Sequence, residues 1–198
     1  MLYTLALQSL LFNYTFLHFY GEDGVAAITI TLYFQFVYMA VYFGYSTGIA
    51  PIIAFKYGCG DKAQLHSIMK YSMIFLAAVS VGTYVLSLVV MKPVVQVFAS
   101  PASNVFSITV EGFPLFALSF LPMGFSIFAS SLFTALSNGL VSAVISFGRT
   151  LVFLAGAILL LPYVIGESGL WLAVPAAELL GIAVSGYFVW KNRKRYGY

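Results

Sequence analysis

The chain has 198 residues, of which 62% are hydrophobic and 8% charged, and its mean hydropathy is +0.99. A soluble domain carries roughly 25% charged residues, so this composition excludes an ordinary soluble protein and indicates an integral membrane protein. The formal net charge of +3 is too small to predict binding of nucleic acid. The single cysteine, Cys59, excludes an intramolecular disulfide, and no spacing typical of a metal site accompanies it.

Uncharged segments separated by polar turns predict an all-α membrane protein with six transmembrane helices in a single domain, residues 1–198. The clearest segment, residues 24–55, contains no charge and is longer than the about 20 residues that cross the hydrocarbon core. A polar loop over 56–70 and an irregular stretch over 100–109 are expected between spans. The predicted spans are about 2–20, 26–50, 70–91, 112–134, 141–163 and 168–190.

The distribution of lysine and arginine predicts the orientation in the membrane. If the basic tail, about residues 191–198, lies in the cytoplasm, eight of the nine basic residues fall on that side and Lys92 alone lies outside. The opposite orientation would violate the positive-inside tendency. We therefore expect a multi-pass protein of the cell membrane, inner or plasma, surrounded by lipid and with both termini cytoplasmic.

Polar side chains within the spans indicate faces that look toward a cavity or a neighbouring helix, because polar groups in hydrocarbon are costly. On the second span, Gln35, Tyr38, Tyr42 and Tyr45 occupy a narrow arc of the helix. On the fourth span, Met123 lies within a stripe of serine and threonine that includes Ser126. Such stripes are also typical of packing seams between helices, and this alternative stays open. The predicted cavity residues are Gln8, Asn13, Gln35, Tyr38, Tyr42, Met123 and Ser126.

Two charges, Arg149 and Glu178, are predicted inside the membrane. A carboxylate at this depth can carry a proton or a cation. Alternatively, Glu178 pairs with Arg149, or Arg149 extends its side chain to the cytoplasmic surface. We favour a structural pair.

An enzyme is not expected. Gly44–Gly48 matches the G-x-S-x-G pattern of serine hydrolases, but it lies within a predicted helix instead of a strand-to-helix turn. The two histidines, His18 and His66, are poorly placed to act as its base. No cofactor motif or metal-binding motif is present in the sequence.

Several short motifs resemble the multidrug and toxic compound extrusion (MATE) family, in matching order over nearly the whole chain. They are Gly21 with Val25-Ala26-Ala27, then Gly48 with Pro51 and the following Gly58-Cys59-Gly60, then Arg149 with Leu161-Pro162, and finally the run from Gly169 to Glu178. The resemblance implies one lobe of a two-lobed transporter, corresponding to its C-terminal helices 7–12.

The resemblance further implies an antiporter that exports organic cations, drugs or metabolites by alternating access, driven by a gradient of H+ or Na+. Its partners would be a small organic substrate and an N-terminal lobe of the same transporter, or a second copy of the chain. The carboxylates that some branches carry on their seventh and tenth helices have no counterpart here. Two alternatives remain open: half of a lipid-linked oligosaccharide flippase, and a truncated membrane fragment that does not transport.

Overall fold

The computed structural model describes the backbone of residues 2–198 and the side chains of residues 8–198, and it confirms the predicted all-α fold. Over these residues the chain consists of α-helices, one π-helical segment and short turns. The elements are α1 (Leu2–Gly58), α2 (Lys62–Phe98), α3 (Asn104–Ala117), α4 (Phe120–Ala135), α5 (Gly139–Phe147), the π segment (Gly148–Phe153), α6 (Leu154–Ile165) and α7 (Glu167–Tyr196).

The long helix α1 is interrupted at Gly21, where φ is 67° and ψ is −155°. Gly166, between α6 and α7, has nearly the same backbone conformation, with φ 66° and ψ −149°. This region is open almost only to glycine. In both places a second glycine stands three positions later, and an added Cβ would clash with Tyr20 Cβ at Gly24 and with the Leu161 carbonyl oxygen at Gly169. The chain therefore uses the same Gly-x-x-Gly turn twice.

These turns make helical hairpins. The first arm of α1, residues 2–20, and its second arm, residues 22–58, are joined by a hydrogen bond from Gln8 to Gln35 across the break. In the same way α7 returns beside the π segment, so that Glu178 meets Arg149. Each hairpin brings two polar side chains, remote in sequence, to the same depth in the bundle.

Replacing the turn glycines tests whether the backbone requires glycine at these two positions. Gly21→Ala and Gly166→Ala should each lower the free energy of unfolding by about 1–3 kcal/mol, because alanine is strained in this region of the Ramachandran plot. Gly156→Ala is the matched control, since this glycine lies in a regular helix with open space around it. The melting temperature in detergent should fall for the first two variants and stay unchanged or rise for the third.

The turn between α1 and α2 is shorter than the predicted loop over 56–70. α1 continues to Gly58, α2 begins at Lys62, and the Asp61 side chain caps α2 by accepting a hydrogen bond from Gln64 N at 3.0 Å. The irregular stretch predicted over 100–109 is likewise reduced, because α3 begins at Asn104 with Ser103 as its cap. Hydropathy marks where the chain leaves lipid, but a helix can continue beyond that point when its ends are capped.

The predicted fourth span is bent. α3 and α4 meet at an angle of 50° around Leu118 and Ser119. Pro122 has no backbone N–H to donate to the Leu118 carbonyl, which accounts for a break at this point. The following span, residues 139–165, is continuous and contains the π segment in its middle.

Aromatic clusters hold the two ends of the bundle together. At the Gly21 end, Trp171 of α7 packs edge-on against Phe16 at 5.0 Å, and its indole fills the space beside Gly112 of α3. At the opposite end, Tyr196 is buried, contacts Tyr57 and accepts a hydrogen bond from Asn138 Nδ2. This second end also contains Lys56, Lys62 and the basic residues of α7, and we call it the basic end.

The basic tail predicted over 191–198 is mostly helical, because α7 continues to Tyr196. By length and composition, four helices of the described residues can cross a membrane, or five if the bent pair α3–α4 is one span. In that count α1 is a single helix, although Gly21 divides it. The fold is therefore a multi-pass membrane protein, and the number of six spans stays a prediction.

Candidate functional site

A cavity of about 320 Å³ lies between the two arms of α1, the π segment and α7. Its wall is largely apolar, with Met39, Phe43 and Leu154 among the contributing side chains. Its polar groups converge from remote parts of the chain, as is typical of sites for small molecules. The polar lining residues are Gln8, Gln35, Ser146, Arg149, Thr150 and Glu178.

Two amides face this cavity together. Gln8 Nε2 donates to Gln35 Oε1 at 3.0 Å, and Gln35 is 8% exposed. The bond uses one donor and one acceptor, so further amide donors and acceptors stay available to a ligand. The pair thus offers neutral hydrogen-bonding groups from both arms of α1.

The second polar group of the cavity is an ion pair, which the sequence suggested as one of its alternatives. Arg149 Nη1 lies 2.5 Å from Glu178 Oε1, with side chains that are 11% and 5% exposed. Glu178 Oε2 has no hydrogen-bond partner among the residues the structure describes. Arg149 sits on the π segment, and such segments occur frequently at functional sites. The cavity therefore contains a buried pair whose carboxylate has one oxygen still unsatisfied.

The tyrosines of the predicted stripe point elsewhere. The hydroxyl of Tyr42 bonds to Thr83 Oγ1 at 2.8 Å and to the Phe120 carbonyl at 2.9 Å, and its ring packs on Gly124. Tyr45 bonds Ser72 of α2. Tyr38 is buried against the Phe120 ring. Of the four residues in the predicted stripe, Gln35 alone lines the cavity. The three tyrosines pack against α2 and α4.

Tyr42 is consequently expected to contribute to stability. Tyr42→Phe removes a buried hydroxyl that bonds both α2 and α4, so the free energy of unfolding should fall by about 0.5–1.5 kcal/mol. Tyr14→Phe is the control, because Tyr14 is 71% exposed. Thermal unfolding of the purified chain should separate the two variants, and equal melting temperatures would contradict the role given to Tyr42.

The remaining predicted residues are dispersed. Asn13 is half-buried and is not among the residues that line the 320 Å³ cavity. Met123 is fully buried in the packing of α4. Ser126 is also fully buried and has no hydrogen-bond partner within the described part of the chain, but it lines a second cavity of about 210 Å³.

This second cavity, which we call the hydroxyl cavity, lies between α1, α4 and α5 and contains mostly serine and threonine. Its lining residues are Phe43, Ser46, Thr47, Ser126, Ile127, Ser130, Ser131, Thr134, Ser146 and Arg149. Ser146 and Arg149 also line the larger cavity, so the two cavities share a wall. The serine of the G-x-S-x-G pattern, Ser46, is buried here in the interior of α1.

On the fifth predicted span, sequence reasoning identified Arg149 but missed the serine and threonine face. Ser142, Ser146 and Thr150 recur every four residues and form one helical face, which is visible in the sequence. The apolar members of the larger cavity, Met39 and Phe43, carry no such signal, because they resemble the lipid-facing residues around them.

Comparison with known proteins agrees with this architecture. A family model described as MatE matches residues 1–159. A search of curated protein sequences gives no significant match. Among solved structures, a mutant MATE transporter from Vibrio cholerae superposes with a TM-score of 0.86 at 17% sequence identity, covering 96% of this chain and 43% of that one.

Two further structures show a multidrug resistance MATE family transporter of the MOP superfamily. The outward-facing one has a TM-score of 0.85 at 16% identity, covering 96% of this chain and 43% of that one. The inward-facing one has a TM-score of 0.85 at 17% identity, covering 96% and 44%. The chain thus spans less than half the length of these transporters. The family match over residues 1–159 and the shared fold confirm the resemblance seen in the sequence, and the chain belongs to the MatE family of membrane transporters.

Proposed function

We propose that the chain is the C-terminal six-helix lobe of an antiporter that exports organic cations, drugs or metabolites, and that the 320 Å³ cavity is its share of the substrate site. The observation that carries this proposal is the convergence of two helical hairpins on that cavity. Gln8 and Gln35 come from the first hairpin, and Arg149 and Glu178 come from the second. A mostly apolar wall with a few convergent polar groups suits amphipathic organic molecules.

In the proposed transporter, the cavity binds substrate during alternating access. Secondary transporters bind substrate between two bodies that rock around a site near the midplane. One lobe supplies one side of such a site, and the solved transporters, of which this chain covers 43–44%, contain a further body beyond the matched part. The partner is the N-terminal lobe of the same transporter or, in a variant of the proposal, a second copy of this chain.

The coupling ion is H+ or Na+, and Glu178 is the carboxylate of this lobe that lies at the cavity. The flippase alternative predicts a basic cavity that attracts phosphate groups. Here Arg149, the one guanidinium among the described residues of the cavity wall, is already paired with a carboxylate. The two charges cancel within the cavity wall, which favours the exporter over the flippase.

The proposed orientation, with the basic end in the cytoplasm of a cell-membrane protein, predicts where Cys59 can be labelled. Cys59 is exposed and lies in the turn between α1 and α2, close to Lys56 and Lys62. A membrane-impermeant thiol reagent should leave it unmodified in intact cells and modify it after permeabilisation. Modification of Cys59 in intact cells would show that the chain has the opposite orientation in the membrane.

Transport itself tests the proposal. The chain, and the chain joined to an N-terminal MATE lobe from the same organism, are expressed in a strain that lacks its own drug pumps, and ethidium accumulation is measured. We expect low accumulation with the joined protein and high accumulation with the chain alone. Efflux by the chain alone would mean that a second copy of the chain takes the place of the N-terminal lobe. If neither protein changes ethidium accumulation, the proposed function is rejected.

A further inference from the structure

The hydroxyl cavity contains buried polar groups that helix packing leaves unsatisfied. Ser46 is 1% exposed and Ser126 is 0% exposed, and neither hydroxyl has a hydrogen-bond partner among the described residues. Buried hydroxyls normally have a partner, and in a polar cavity that partner is water. A cavity of about 210 Å³ is large enough for several waters.

Beside this cavity a chain of hydroxyls is already hydrogen-bonded between α4 and α5. Thr134 Oγ1 lies 2.7 Å from Ser142 Oγ, Ser142 Oγ lies 3.0 Å from Ser130 Oγ, and Ser130 Oγ lies 2.6 Å from Ser146 Oγ. In each pair either oxygen is able to donate, and the Thr134 and Ser142 hydroxyls also have the Ser130 carbonyl oxygen as an acceptor, at 3.0 and 2.8 Å. Each of these two protons has to turn from that carbonyl to the neighbouring hydroxyl when the chain carries a proton. Because a hydroxyl both donates and accepts, the direction of the whole chain can reverse, which is the property that proton transfer along it requires.

The two ends of this hydroxyl chain face different surroundings. Thr134 is exposed and lies one turn of helix before Asn138, which bonds Tyr196 at the basic end. Ser146 lies in the wall shared by the two cavities, next to Arg149. The chain therefore runs from the surface of the basic end to the edge of the cavity that contains Glu178.

Glu178 is the group at which such a path can end. Among the side chains that the structure describes in the cavity wall, Arg149 of the π segment is the one charged group that faces Glu178. The arms of α1 present the neutral Gln8 and Gln35, and α4 presents Ser126 beside the Arg149 stem. With Oε2 unpartnered within the described residues, the carboxylate has an oxygen free to accept a proton.

We propose that the hydroxyl cavity is a hydrated inlet through which protons travel between the basic end and Glu178. A hydronium ion at the Thr134 end gives up a proton, each oxygen along the chain accepts one proton and passes one on, and the Glu178 carboxylate becomes a carboxylic acid. Water inside the two cavities completes the path from Ser146 to Oε2, and it hydrates the Arg149 guanidinium, which lacks its counter-charge while Glu178 is protonated. The inlet rests on the proposed transport function for its biological use, but its existence can be tested without substrate or a second lobe.

Hydration is tested by cysteine labelling in a Cys59→Ser background, with the purified chain in lipid nanodiscs. Ser126→Cys and Ser119→Cys are matched, because both serines are fully buried, unpartnered among the described residues, and at or within α4. Ser126 alone of the two lines the hydroxyl cavity. A small hydrophilic methanethiosulfonate should modify Ser126→Cys about tenfold or more faster than Ser119→Cys.

Ser46→Cys is a second reporter on α1, and the unaltered Cys59 of the parent chain is the positive control. If Cys59 reacts while both reporters in the cavity stay as slow as Ser119→Cys, the cavity is a dry packing seam and the inlet is rejected.

The proton pathway is tested by infrared spectroscopy of the Glu178 carboxylic acid band, which is assigned by its absence from the double variant Arg149→Met, Glu178→Gln, because this variant leaves no uncompensated charge. After a rapid drop in pH, Ser130→Ala should slow the growth of this band by about tenfold, since Ser130 bonds both Ser142 and Ser146. Ser87→Ala is the control, because this buried serine of α2 bonds the Tyr84 carbonyl away from either cavity. Equal rates in both variants, or absence of any band assigned to Glu178, would overturn the proposal.

Discussion

Glu178→Gln is expected to lower the free energy of unfolding by about 3–5 kcal/mol, because it leaves the Arg149 guanidinium buried without its counter-charge. Arginine stays protonated at any accessible pH, so it cannot escape this cost by losing its charge. The side chain is 11% exposed, which limits how far water can replace the carboxylate. The melting temperature and the yield of monodisperse protein in detergent should both fall sharply.

Arg149→Met should cost less than Glu178→Gln. The carboxylate that it leaves behind can take up a proton and become neutral, which is cheaper than burying an isolated charge. The double variant removes both charges and should recover part of the loss, with a coupling energy of about 1–3 kcal/mol. Strictly additive losses would reject the view that the two side chains act as a pair.

Lys56→Met is the matched control for these variants. Lys56 and Asp61 form an ion pair at 4.0 Å with side chains that are 24% and 33% exposed, so its removal should cost less than about 1 kcal/mol. A large effect of Lys56→Met would mean that net charge, and not burial, governs the stability of this chain.

Much of the architecture was predictable because hydropathy and turn chemistry depend on local sequence. The uncharged runs predicted the helical segments, and the residues typical of turns at Gly21–Gly24 and Ser137–Gly139 lie where α1 bends and where α5 begins. Helix ends were less predictable, because capping by Asp61 and Ser103 extends α2 and α3 into stretches whose composition resembles a loop.

The polar faces were harder to interpret. Periodicity shows that Gln35, Tyr38 and Tyr42 share a side of one helix, but it does not show which neighbour lies there. The structure separates them, since Gln35 reaches the hairpin partner Gln8 while Tyr42 reaches Thr83 of α2. Arg149 and Glu178 were easier to connect, because a buried charge of each sign has few other ways to be compensated.

The largest effect on function is expected from a substitution that fills the 320 Å³ cavity. Thr150 lines this cavity from the π segment and is half-buried, so a larger side chain can turn into the empty space without displacing the core. In the transporter joined to its N-terminal lobe, Thr150→Trp should abolish substrate binding by occupying the volume that the substrate needs.

Val152→Trp is the matched control, since it introduces the same side chain two residues further along the same π segment, where Val152 is 67% exposed and does not line the cavity. We expect ethidium accumulation with Thr150→Trp to equal that of cells without the transporter, while Val152→Trp keeps efflux at the level of the unmodified protein. Both variants should reach the membrane in equal amounts and melt within a few degrees of the parent, because neither changes the buried core. If Thr150→Trp is folded and still lowers ethidium accumulation like the parent, the substrate does not occupy this cavity and the site must be sought elsewhere on the lobe.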